Sequence, residues 1–441
     1  MCIIRCALIA VLCNPFTLSD VLAQSVSDIL NPASGRVIYV APVGNNSADG
    51  SVSAPLKNID KALKVANAGD TIAVAAGAYS GTFNIGYLQS DKPLKLYGSF
   101  NPDFSRRSVR STPTVFAPAN ASAAKARKPM LQFTKSIDGA VVDGFVFDAG
   151  ERNSYAPLKA KPEGVATGML LLPPRKAAGQ APTVLEPILK IPSSSAGGDM
   201  QISHNVFLNA PNFGIQAALR AGTLSIHDNL FVANRMAAIE AFGTCAGSVR
   251  NMNAPCGAAD ISHNTILFTW ARLDDMQDMG YGIRVMTKLS YRIHNNLIGG
   301  SVRGGIDHTR FNKDEWISIQ NNLFVANKRG DMYYSPASNT QLNLRVEEFG
   351  DLPIASSSGN RAEVPAQLKV DKAYLEGFLS ATYSEESDVD RGSAANVWRS
   401  ALGMNIVGSI KSDVSMFANR YPAEAAMQLL GAVDDVGARA L

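Results

Sequence analysis

Ile202-Ser203-His204-Asn205 recurs along the chain as Ile226-His227-Asp228-Asn229, Ile261-Ser262-His263-Asn264, Ile293-His294-Asn295-Asn296 and Ile319-Gln320-Asn321-Asn322. Two positions beyond each final asparagine stands an apolar residue: Phe207, Phe231, Ile266, Ile298 and Phe324. The isoleucines lie 24, 35, 32 and 26 residues apart. A base period near 24 with insertions in some units is the pattern of stacked β-coils, one coil per repeat. Of 30 asparagines, 16 lie between Asn205 and Asn343. Asparagine disfavours helix interiors and tolerates left-handed turns, so this bias points to a β-solenoid rather than a helical one. Asn205, Asn229, Asn264, Asn296 and Asn322 are expected to stack at one corner and bond from turn to turn.

Each unit carries a second strand: Gly214-Ile215-Gln216-Ala217, Ala238-Ile239-Glu240-Ala241, Gly282-Ile283-Arg284-Val285 and Gly305-Ile306-Asp307-His308. Gly330-Asp331-Met332-Tyr333-Tyr334 continues the series. The isoleucine or methionine points into the coil, and the strand period of two turns the next residue outward. Gln216, Glu240, Arg284, Asp307 and Tyr333 should therefore form a vertical row on one outer face.

Upstream, Tyr39-Val40-Ala41-Pro42-Val43-Gly44 reads as a strand and turn. Ile59, Ala62, Leu63 and Ala66 follow at helical spacing, Gly69-Asp70 ends that helix, Thr71-Ile72-Ala73-Val74 alternates like a strand, and Gly77-Ala78-Tyr79 reads as a turn. Tyr39, Pro42, Gly44, Pro55, Leu56, Ile59, Ala62, Leu63, Gly69, Asp70, Thr71, Ile72, Val74, Gly77 and Tyr79 together resemble the start of exported right-handed parallel β-helix proteins of the pectate-lyase-like superfamily. The resemblance implies an all-β, single-stranded parallel β-helix whose first coil is covered by a short helix, here residues 55–67. Without such a cover, the first coil would expose an apolar cross-section and unpaired strand edges. Short strands are expected at 94–98, 114–116, 130–133 and 141–147. A Pro-rich insertion at 150–199 contains strand patterns at 169–172 and 188–191, and the rest reads as loop. After residue 345 the rhythm fades. Residues 365–380, 394–403 and 422–430 are helix-compatible, and 346–441 is expected to cover the last coil as a polar, partly helical cap.

Composition sets outer limits. The chain has 441 residues, 46% hydrophobic and 18% charged, with a mean hydropathy of zero. That excludes intrinsic disorder, and no long apolar run follows the N-terminus to span a membrane. The formal net charge of +3 comes from 41 Lys+Arg against 38 Asp+Glu, too balanced for a nucleic-acid partner. Residues 1–23 read as a secretory signal: Arg5, an apolar stretch from Ala7 to Cys13, and Val21-Leu22-Ala23 before the cleavage point. Cys2, Cys6 and Cys13 leave with it, so the exported chain, residues 24–345 forming the β-helix, keeps Cys245 and Cys256 as a disulfide pair. A monomer is expected, in the periplasm or outside the cell.

The chemistry expected of the row follows from strand spacing. Side chains two strands apart on a sheet lie about 9–10 Å apart, the scale of a sugar unit, so the row is a candidate polysaccharide groove. In one scheme Arg284 neutralises a uronate and His308 removes the adjacent proton, giving β-elimination or C5 epimerisation, with Lys288, Arg310 and Tyr333 as further candidates. In another, Glu240 and Asp307 act as the acid and base of an inverting glycosidase. A third reading is a non-catalytic glycan-binding protein of the cell envelope or matrix. Trp270 and Arg272 stand in a long insertion beside the row, with Asp274, Asp275 and Asp278 as candidate calcium ligands. His204, His227, His263 and His294 sit beside the asparagines at differing offsets and read as corner residues.

Overall fold

The computed structural model describes residues 25–79, 88–117, 129–149, 186–210, 212–245, 254–269, 280–301, 303–308, 312–337, 340–363, 397, 401 and 421–439. The strands form three sheets of nine. In each coil the chain runs through the first sheet, turns the asparagine corner into the third, then crosses to the second. The pairings within the first and third sheets are all parallel, and the chain is a right-handed parallel β-helix. The second sheet ends on one antiparallel strand, Thr340–Leu344, against Gly330–Ala337.

The repeat dictates the corner. Asn205 Nδ2 donates to Asn229 Oδ1 at 3.0 Å, and the same bond runs from Asn229 to Asn264, Asn264 to Asn296 and Asn296 to Asn322. Each acceptor oxygen also takes the backbone N–H of the preceding asparagine. The ladder extends one step further than the repeat showed, to Asn360, which lies 38 residues beyond Asn322. The residue before each ladder asparagine adopts a left-handed turn: His204, Asp228, His263, Asn295 and Asn321 have φ of 52–57°. The corresponding earlier corner is Gly144, φ 79°. That corner splits the expected 141–147 strand into Ala140–Asp143 and Phe145–Asp148. The turn expected at Gly77 is a strand instead, and the strand expected at 94–98 runs on to Phe100. Gly77–Tyr79 opens the third sheet, and Gly98 lies within Lys95–Phe100, where an added Cβ would meet the Phe145 ring at 2.6 Å.

Inside the coil, Phe147, Phe207 and Phe231 stack at ring-centroid distances of 5.3 and 4.8 Å. Ile266, Ile298 and Phe324 continue that column. At the N-terminal end the helix Ile59–Val65 buries Ile59, Ala62 and Leu63 on the main core. At the other end Val346 and Phe349, on the turn Val346–Asp351, join the same core, with Phe349 edge-on to Phe324.

The described residues beyond 420 depart from the expected cap. Residues 421–439, with a helix at Ala423–Met427, lie along the flank of the third sheet rather than over its end. The reason is the outer face of that sheet. Leu208, Leu230, Val232, Leu267, Leu297 and Leu323 are apolar although they face away from the coil interior, and Tyr421, Ala426, Leu430, Val433 and Val436 cover them. The helix-compatible stretches 365–380 and 394–403, the signal segment, and most of the Pro-rich insertion with its 169–172 strand fall outside the described residues, apart from Val397 and Ala401. The 188–191 segment is the strand Leu189–Ile191.

Candidate functional site

The outer face of the second sheet carries one unbroken column of polar side chains. Strand register places Gln89 beside Gln132, then Lys190, Gln216, Glu240, Arg284, Asp307, Tyr333 and Asn343. All nine strands of this sheet contribute a hydrogen-bonding group. The alternation argument found the five central members. It missed Lys190, Gln89, Gln132 and Asn343, which lie outside the repeat but follow the same in–out rule, as in Leu189-Lys190-Ile191.

Exposure varies along the column. Gln89 and Asn343 are exposed, Gln132, Lys190, Gln216 and Arg284 are half-buried, and Glu240, Asp307 and Tyr333 are buried. The centre is a bonded ladder. Gln216 Nε2 donates to Glu240 Oε1 at 2.7 Å, Arg284 Nη1 to Glu240 Oε2 at 2.5 Å, and Arg284 Nε to Asp307 Oδ2 at 2.8 Å. The alternation places these side chains on the outer face but says nothing of their depth. The Arg284 side chain is in fact only 14% accessible and those of its partners 6% and 7%.

Burial decides the electrostatics. It raises the Asp307 pKa above the usual carboxylate range, overcoming the opposing pull of Arg284. Burial works against the Arg284 charge, but Asp307 and Glu240 raise its pKa on balance. The Tyr333 phenol is raised by burial and then by the Asp307 charge. Tyr281, which the repeat did not reveal, packs against Tyr333 with ring centroids 5.9 Å apart. Burial and Asp307 raise its phenol too, while the buried Arg303 nearby opposes this.

Two expected members of the site lie elsewhere. His308 is not on the row. It follows Asp307, so the strand turns it inward, in register with the core residue Val285. There its Nε2 bonds Asp314 Oδ1 at 2.9 Å, and Tyr334 donates to the other oxygen of Asp314 at 3.1 Å. A histidine on that side cannot take a proton from a ligand lying on Arg284. Lys288 sits at a left-handed corner, φ 66°, where its Nζ donates to the Cys245 carbonyl at 3.3 Å. Cys245 and Cys256 are bonded to each other, with Cα atoms 5.5 Å apart. Trp270, Arg272, Asp274, Asp275, Asp278 and Arg310 lie outside the described residues.

Among the described residues no group of three or more His, Cys, Asp or Glu could hold a metal ion. Calcium requires several oxygen ligands. Glu240 and Asp307 direct theirs at Arg284, so the row does not fit the ion and no chemistry is assigned to one there.

Comparison with known proteins assigns no activity to the chain. Residues 42–86 match a family described as "Protein of unknown function (DUF1565)". No curated protein matches in sequence. Among solved structures, the chain is similar to pectate lyase Pel9A, at 13% identity over 84% of this chain and 91% of that one, with a TM-score of 0.41. It is similar to a rhamnogalacturonan lyase, at 12% identity over 84% and 99%, with a TM-score of 0.37. It is also similar to pectin methylesterase PemA from Erwinia chrysanthemi, at 12% identity over 76% and 91%, with a TM-score of 0.35. At this distance no residue role transfers, and fold alone does not fix function. No described helix is long and apolar enough to cross a membrane.

Proposed function

We propose that the protein is an exported, carbohydrate-active β-helix that binds an extended glycan along the outer face of its second sheet. The supporting observation is the unbroken polar column from Gln89 to Asn343. Strands stand about 4.8 Å apart, so the column offers regularly spaced hydrogen-bonding groups along the path of an extended chain. Tyr281 and Tyr333 pack against each other near its centre.

A second reading, hydrolysis, rests on Asp307. A buried carboxyl with a raised pKa holds a proton at higher pH than usual, which suits it to donate to a glycosidic oxygen. Glu240, two strands away, would activate water on the opposite side, at a separation near the upper end for an inverting enzyme. Arg284 bonds both carboxylates and would have to release one as substrate enters. Elimination or epimerisation is less well supported. Arg284 is engaged by two acids, His308 faces inward, and the raised pKa of the Tyr333 phenol keeps it protonated and so unready to accept a proton.

The test is a panel of alginate, pectate, glycosaminoglycans and neutral glycans, with and without calcium. Binding without turnover is the expected result, and new reducing ends would establish the hydrolase. Unsaturated uronyl absorbance would overturn this ranking in favour of elimination. Absence of binding across the panel would overturn the glycan reading itself.

A further inference from the structure

The corner opposite the row holds a second network, remote from the glycan site. Arg439, near the C-terminus, reaches back 211 residues to Asp228, with Nε on Oδ1 at 2.7 Å, Nη2 on Oδ2 at 2.8 Å, and its backbone N–H on Oδ1 at 3.1 Å. The next two backbone N–H groups upstream are also received by the corner: Ala438 on Thr265 Oγ1 and Gly437 on the Asn295 carbonyl, both at 2.9 Å. Imidazoles surround this point. His227 Nδ1 bonds Asp228 Oδ2 at 2.8 Å, the rings of His204 and His227 meet edge-on at 5.9 Å, and those of His263 and His294 at 6.1 Å.

We propose that residues 421–439 form a strap latched by Arg439 on Asp228, and that acid releases the strap through protonation of His263. The four histidines differ in their partners. His204 and His227 each have an aspartate within bonding distance, Asp143 and Asp228. His294 has Asp260 at 3.1 Å, and that aspartate also pairs with Arg292. Among the described residues no carboxylate is hydrogen-bonded to the His263 ring. The charged and titratable groups acting on it are Arg439, Asp228, His294 and His227; burial and then Arg439 lower its pKa, with Asp228 opposing. The strap also brings Asp434 and Asp435, but Asp434 is directed to Arg361, 3.9 Å away.

Linkage fixes the direction. A group whose pKa is lowered by docking takes up its proton more readily when Arg439 leaves, so falling pH favours the undocked strap. One proton with an ordinary histidine pKa limits the shift in the docking equilibrium between about pH 7.5 and about pH 5 to about thirtyfold. Asp228 itself stays ionised through this range, because Arg439 and His227 hold its carboxyl well below the usual range despite burial. Release would uncover the apolar outer face of the third sheet.

The experiment is amide hydrogen exchange on the full chain, read at Gly437, Ala438 and Arg439 at both pH values and corrected for intrinsic rates. Protection is expected to fall severalfold or more at the lower pH. His263→Asn, which tolerates the left-handed corner without titrating, should abolish that fall. Asp228→Asn should loosen the strap at both pH values. If protection does not depend on pH in the wild type, or if His263→Asn opens in acid as the wild type does, the latch is overturned.

Discussion

The outer faces of the second and third sheets are built from the same coils yet are opposites. Along the third, Leu208, Val232, Leu267 and Leu323 face outward and are sealed under Tyr421, Leu430 and Val436. Along the second, the outward column is polar on every strand, from Gln89 to Asn343. A sheet face that is to be covered by its own chain can be apolar, because burial of each such side chain contributes about 1.5–3 kcal/mol. A face kept for a polar ligand cannot. The contrast separates a surface used for stability from one proposed for recognition.

The largest effect should come from breaking the charge ladder on one side only. Arg284→Met leaves Glu240 and Asp307 as buried carboxylates without their cation, and should cost about 3–5 kcal/mol in denaturant unfolding. The triple variant Glu240→Leu, Arg284→Met, Asp307→Leu should restore that stability while abolishing glycan binding. A triple variant that still bound glycan at full strength would place the ligand elsewhere.

On the third sheet, Leu430→Ala removes a side chain from the seal and should cost about 2–3 kcal/mol, with no change in glycan affinity. A matching loss of affinity would mean that the two faces are not independent.

Asn264→Ala tests the corner that both faces share. It deletes donors to the Ile226 and Ser262 carbonyls and the acceptor for Asn229. Orphaned buried groups cost about 1–3 kcal/mol each, so a loss of about 3 kcal/mol is expected. Asn360→Ala, at the half-buried end of the ladder, should cost less.

A pH titration divides the faces further. Asp143 is held well below its ordinary value of 3.8 by Arg107 and His204 despite burial, so its contribution to stability is complete above that value and is lost as pH falls below it. Asp307 has the opposite sign. Its raised pKa gives a contribution that is present below 3.8 and lost as pH rises through its folded value. Asp143→Asn should flatten the acid limb of stability, and Asp307→Asn should leave that limb standing. The smallest effect belongs to Gln89→Ala, at the exposed end of the column. It should change stability by no more than about 0.5 kcal/mol while weakening binding of long glycans.

Much of this was legible in the sequence, because a β-coil repeats both a turn and an alternation. The Asn ladder and the column from Gln216 to Tyr333 follow from those two rules alone. What was not legible depends on contacts between distant segments. Nothing in the local pattern of residues 421–439 shows that they lie on the flank of the third sheet, since the sequence marks outward apolar residues without naming their cover. His308 was misplaced for a simpler reason. Adjacency in sequence to Asp307 means opposite faces in a strand. The burial of Glu240, Arg284 and Asp307 was likewise invisible to register, which gives direction but not depth.

The central claim is that the polar column of the second sheet is the ligand surface, and the most direct measurement is a hydrogen-exchange footprint of the full chain with a glycan from the panel that binds. Protection should appear on the strands from Leu189–Ile191 to Gly330–Ala337 that carry the column, and the outer face of the third sheet should be unchanged. Protection confined to the first or third sheet, with the column strands unaffected, would contradict the account.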